Sequence, residues 1–178
     1  DLAVLNFLPI NPGALPDQPP ETPFYGRVYH LLKGDAPAAE AVAEGFAQEP
    51  PRLRALGILS VLMSGKRKAA LKLVQDLIPE PAHLALENTV AALAFLFAMQ
   101  ASAGFSEPMF NIKKVLLHLS RIEQLERAPG LEAVFSRYVC GAVYVFLPGV
   151  FATRHKGVEL LQTLNQELEG HPRSEERR

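Results

Sequence analysis

Apolar residues recur along the chain at helical spacing, and no stretch of useful length alternates with the period of two that a half-buried strand needs. Residues 82–103 predict one long helix, with Leu84, Leu86, Val90, Leu93, Phe97 and Met99 among its apolar positions. From Ala91 to Met99 that helix is apolar on every side, which places it in the middle of a helical assembly. Glu87, Asn88 and Gln100 leave it too little uninterrupted apolar length for a membrane span. A second helix starts near Pro108 and runs to about Arg127, with Val115, Leu116, Leu119, Ile122 and Leu125 as its buried stripe. Pro129-Gly130 breaks the chain; helices over 131–146 and 154–169 follow, joined by the longer turn Leu147-Pro148-Gly149-Val150-Phe151. The β-branched run at 142–147 is the one place that also suits a strand.

The first half repeats itself. Shifted by 31 residues, segment 24–54 aligns with 55–85 at eight identities, among them Gly26 with Gly57, Leu31 with Leu62, Gly34 with Gly65, Ala38-Ala39 with Ala69-Ala70 and Glu49-Pro50 with Glu80-Pro81. Each match has a mechanical reading. Gly34 or Gly65 supplies the positive φ that ends a first helix. The alanine pair lets two helices approach, and Pro50 or Pro81 stops the second helix. Each unit is therefore an antiparallel helical hairpin, which cannot bury its apolar face alone and must stack on a neighbour.

These residues resemble the tetratricopeptide repeat. The first unit carries Gly26, Tyr29, Ala38 and Pro50 at that family's spacing; the second carries Leu56-Gly57, Ala69 and Pro81, with Ser60 where the family has an aromatic. Gly141 and Tyr144 repeat the Gly-to-Tyr spacing and open a degenerate closing unit. The resemblance implies an all-α, right-handed α-solenoid of about four antiparallel helical hairpins over 24–170. It also implies a concave groove lined by the first helix of each hairpin. Carried over from Gly26, Gly57 and Gly141, the groove positions are Arg27 and His30, then Arg54, Ile58 and Val61, then Tyr138, Ala142 and Val145; the third hairpin adds Phe97 and Gln100. Arginines beside aromatic and aliphatic side chains suit a peptide that carries an acidic group.

The ends differ from the body. Residues 1–23 form a Pro-rich extended arm, with six prolines between Pro9 and Pro23, and residues 171–178 form a charged flexible tail. The start at Asp1 favours an exported or processed bacterial protein.

Composition narrows the chemistry. A 178-residue chain with 48% hydrophobic residues builds its own core, and a net charge of −1 argues against a general nucleic-acid binder. Charge is uneven, however: Asp35 to Glu49 holds acids and no bases, and Arg52 to Lys72 holds bases and no acids, so adjacent hairpins can pair. One cysteine, Cys140, sits in an apolar helix and reads as an inert buried thiol. His83 with Glu87 and His155 with Glu159 have helical spacing but too few ligands for zinc. No nucleophile elbow, phosphate loop or dinucleotide fingerprint is present, so no catalytic residues, metal or cofactor are assigned. The chain thus reads as a non-enzymatic adaptor or scaffold that binds a protein or peptide, with self-association possible. The alternative is a carrier or sensor of a small apolar ligand, its pocket lined by Phe95, Phe97, Phe105, Phe110, Phe135, Tyr138, Tyr144 and Phe151.

Overall fold

The structure, a computed structural model, describes residues 45–80, 82–101, 106–125 and 130–170, together with Val28. Among these residues the fold is all-α, with no strand, including over 142–147. The helices whose bounds are described are α1 (Pro51–Met63), α2 (Arg67–Leu77), α3 (Ala85–Ala101), α4 (Ser106–Gln124), α5 (Leu131–Phe146) and α6 (Arg154–Gly170), with a 3-10 turn at Gly149–Phe151. The arm, the tail and nearly all of the first repeat unit, including Gly26, Arg27, Tyr29, His30 and Gly34, lie outside the described residues. No helix among the described residues is long and apolar enough to cross a membrane.

The turn between α1 and α2 forms as its glycine predicts. Gly65 has φ +82°, its N–H bonds the carbonyl of Leu62 at 3.1 Å, and the N–H of Lys66 reaches that of Val61 at 3.3 Å. This pair of bonds is the Schellman arrangement, which satisfies carbonyls that a helix end would otherwise leave open. Arg67 and Lys68 belong to the first turn of α2. The end of α2 differs from the prediction. The helix stops at Leu77, and Ile78 is already extended at φ −97° and ψ 117°. The stop is Pro79, which pushes the residue before it out of the helical region, and not Pro81.

Helices adjacent in sequence pack as α1 with α2, α3 with α4, and α5 with α6. In addition α3 packs on α1, on α2 and on α5, so α3 is the element that the others share. Its residues 86–96 are all buried. Each fully buried Val, Leu or Phe of this run contributes roughly 1.5–3 kcal/mol of hydrophobic stabilisation.

Two glycine contacts set the close approaches. A Cβ on Gly57 would fall 2.6 Å from the ring of Phe46, so that glycine admits the aromatic of the preceding segment. Where α5 meets α6, a Cβ on Gly157 would fall 2.5 Å from the carbonyl oxygen of Gly141 and 2.7 Å from the amide nitrogen of Val145. Those atoms are backbone and cannot give way. Gly157→Ala is therefore predicted to destabilise the chain by about 1–3 kcal/mol through forced separation of α5 and α6. Ala152, at φ +50° in the left-handed region, should accept glycine with unchanged or slightly raised stability. Urea unfolding of both variants checks the pair.

Candidate functional site

The site begins with a polar turn that the fold buries. Glu87, Asn88 and Thr89, in the first turns of α3, are each at most 2% exposed. Each has a local task. Glu87 accepts a bond from the N–H of Leu84 at 3.3 Å, as the acidic partner of a capping box does. Asn88 donates through Nδ2 to the carbonyls of Leu84 at 2.8 Å and Ala82 at 3.3 Å. Thr89 donates to the carbonyl of Ala85 at 2.8 Å. The second oxygen of Glu87 faces Arg54 of α1, 3.6 Å away, in an ion pair whose side chains are 18% and 3% exposed.

Asn88 then fixes the state of a histidine. Its two donated bonds set the amide so that Oδ1 points to His118 of α4, 3.0 Å from Nδ1. An amide oxygen only accepts, so Nδ1 carries the proton. His118 is 3% exposed and stacks on Phe95 with ring centroids 5.9 Å apart. Burial holds its pKa below the ordinary 6.5; Glu80 opposes that shift and Lys114 adds to it. The neutral ring is thereby a single tautomer, with Nε2 as an acceptor. Among the described residues Nε2 has no hydrogen-bond partner, and it is not among the sealed polar atoms that lack one.

His118 and Phe95 lie at the bottom of a cleft of about 510 Å³. One wall is the end of α2 and the extended segment after it, from Val74 to Glu80; the other is Phe110 and Lys114 of α4. The cleft exists because α2 and α4 both pack on α3 but not along each other. Lys114 donates to both carboxylate oxygens of Glu80, at 2.7 and 2.6 Å, and lies 5.5 Å from the centre of the Phe110 ring. Phe110 is 53% exposed. A smaller pocket of about 180 Å³, lined by Leu117, Arg121 and Gln124 among others, adjoins the cleft through Glu80 and His118.

The residues carried over from the repeat resemblance do not form one groove among the described residues. Ile58 and Val61 are fully buried and belong to the core, because the face of α1 that they occupy packs on other helices. Arg54 is committed to Glu87. Phe97 is half-buried beneath the guanidinium of Arg67, 4.9 Å from the ring centre. It lies ten residues, about 15 Å, along α3 from Glu87. Tyr138 is exposed on α5, Ala142 is buried and Val145 is half-buried against α6. Arg27 and His30 lie outside the described residues, and nothing is described of the Gln100 side chain. Within the basic stretch 52–72, Arg52 pairs with Glu132 of α5 and Arg54 with Glu87; residues 35–44 of the acidic stretch lie outside the described residues.

The C-terminal helices hold a different arrangement. Tyr144 donates to Glu123 at 2.6 Å, and Lys156 bonds the other oxygen of Glu123 at 2.8 Å. Burial and that carboxylate push the phenol pKa well up. Cys140 is buried, with its pKa pushed up to about 12 by burial, so it is an inert thiol at neutral pH. The cavity beside it is about 210 Å³ and is lined by none of the eight aromatics of the carrier reading; two of them, Phe95 and Phe110, line the larger cleft. Among the described residues no three His, Cys, Asp or Glu side chains converge as a metal site. Of the cleft residues, neither Glu80, Lys114 nor His118 stands out in the sequence, since each is joined to its partners only by folding.

Set against known proteins, the chain matches no family model, no curated protein and no solved structure.

The buried polar turn makes two predictions. Arg54→Ala leaves Glu87 buried without its counter-charge and should cost about 3–5 kcal/mol of stability in urea unfolding. The His118 imidazole should titrate below 6.5 by NMR. The unfolded chain takes up that proton first. Stability therefore falls as pH drops from 6.5 through the folded-state pKa and levels off below it, a dependence that His118→Gln removes.

Proposed function

We propose that this chain is a non-enzymatic interaction module, a right-handed α-solenoid of tetratricopeptide-like hairpins that docks a peptide or a partner subunit. The contact order supports the solenoid. α1, α3 and α5 lie in sequence on one another, and each is followed by a second helix that returns against it. The surface reading moves from the groove of the first helices to the cleft of the second helices, between α2 and α4. One observation carries it: Phe110 stands half-exposed over a floor of Phe95 and His118, so an apolar anchor and a hydrogen-bonding group converge in one concavity. Binding surfaces are built from such elements, an aromatic hot spot beside a positioned polar group. Seven residues on, Leu117 is exposed on the same side of α4 and extends the apolar edge. A cleft of about 510 Å³ also falls within the roughly 300–1,000 Å³ of small-molecule sites, which keeps the ligand-carrier reading as the second one.

Selection of a random peptide library on the full chain tests the first reading. Enriched peptides are expected, and Phe110→Ala should weaken them by about tenfold while leaving the melting temperature nearly unchanged. No enrichment, or enriched peptides indifferent to Phe110, would turn the assignment toward the small ligand.

A further inference from the structure

The charge and polarity of the cleft specify what enters it. The wall formed by α2 is the C-terminal end of that helix, where the macrodipole places partial negative charge and open carbonyls. Pro79 has no N–H and cannot cap the carbonyl of Gln75; among the described residues only Ile78 returns a bond to this last turn. No basic residue stands in the last turn of α2, and an acidic one, Asp76, does. An acid at a helix C-terminus works against stability, so Asp76 is not explained by the needs of the helix. The cleft is therefore lined by Asp76 and Glu80, by the C-terminal end of α2 and by His118, whose Nε2 is an acceptor. Against these it sets one cation, Lys114, already spent on Glu80 and lying over Phe110. Arg121 is in the adjoining smaller pocket.

From this the geometry points to a basic side chain of a partner peptide, an arginine above all, as the group that the cleft between α2 and α4 receives. This rests on the interaction-module reading and names the anchor of its partner. A guanidinium donates in several directions from one plane, stacks on an aromatic ring and carries the charge that the site lacks. In the cleft it donates to Nε2 of His118 and to the carboxylate of Asp76, with Phe110 covering one face. A divalent cation is a poorer occupant, since no ligand cluster converges among the described residues. The sign is opposite to the acidic ligand that the arginines of the first helices imply. Of the two arginines behind that ligand, Arg54 faces Glu87 in an ion pair and Arg27 lies outside the described residues.

The test uses the full chain and blocked pentapeptides Gly-Ser-X-Ser-Gly, with X as Arg, Lys, Phe or Glu, followed by calorimetry and by the NMR shift of the His118 ring nitrogens. The Arg peptide should bind best and shift Nε2. Asp76→Asn, an exposed and fold-neutral change, should weaken it about two- to fivefold. His118→Gln should weaken it about tenfold, and if that variant unfolds, Asp76→Asn and the Nε2 shift still decide. A preference for the Glu or Phe peptide would overturn the basic anchor and leave the module reading standing. Arg binding unchanged by Asp76→Asn, with Nε2 unmoved, would overturn the cleft as its place. If no peptide of the four binds while library selection succeeds, the anchor is wrong; if both fail, the module reading falls with it.

Discussion

Burying the first turns of α3 is the constraint on which the described fold turns. α3 packs on α1, α2, α4 and α5, so its sides are all taken. Its apolar residues gain from that enclosure. Glu87, Asn88 and Thr89 do not, because a polar group taken out of water costs free energy unless something replaces the lost hydrogen bonds. Backbone groups before and within the first turn and the imidazole of His118 on α4 supply hydrogen bonds, while Arg54 on α1 faces the second oxygen of Glu87 as a counter-charge at 3.6 Å, without a hydrogen bond. His118 and Arg54 each tie α3 to a different neighbour. The register of α1 and α4 on α3 is thus set by polar pairing as well as by packing, since a slide of one turn would leave a buried carboxylate or amide without a partner.

His118 inherits its chemistry from that constraint. It is buried because α4 packs on α3, neutral because it is buried, and held in one tautomer because Asn88 is itself pinned by two carbonyls. The ring nitrogen left over is a polar group beside Phe95 at the bottom of the cleft. A structural network and a candidate binding group are here two ends of one chain of hydrogen bonds.

Much of the fold could be read from the residues. Gly65 announced its turn because a left-handed φ after an apolar helix end is a local requirement that glycine meets at little cost. The all-apolar run 91–99 announced the central helix, and 131–146 matched α5 residue for residue. The misplacements have physical causes too. The repeat pairs Pro81 with Pro50, but Pro79 comes first along the chain and ends α2. Repeat position puts Ile58 and Val61 on the groove face, whereas their apolar character suits the core equally. Position within a repeat cannot say whether a further layer covers that face, and in this chain the face is covered. The cleft itself was not legible. Asp76, Glu80, Lys114 and His118 span 43 positions from first to last and have no motif spacing; packing alone brings them together.

The cleft lies on the side of the second helices because of a mismatch in length. α2 ends after 11 residues at Pro79, whereas α4 continues for 19. A longer α2 would have a face to set against α4, and Phe95 and His118 would then be sealed in the core with Nε2 lacking a partner. Instead the chain leaves α2 as an extended segment through Ile78, Pro79 and Glu80, which forms a wall without filling the space. The early stop does two things at once. It opens the floor to solvent, and it places the end of α2, with Asp76 in its last turn, along the same opening. A helix stop that served folding alone would not need an acid placed against the dipole. Asp76 and His118 line the same opening, and that shared lining is the ground for proposing a cation there.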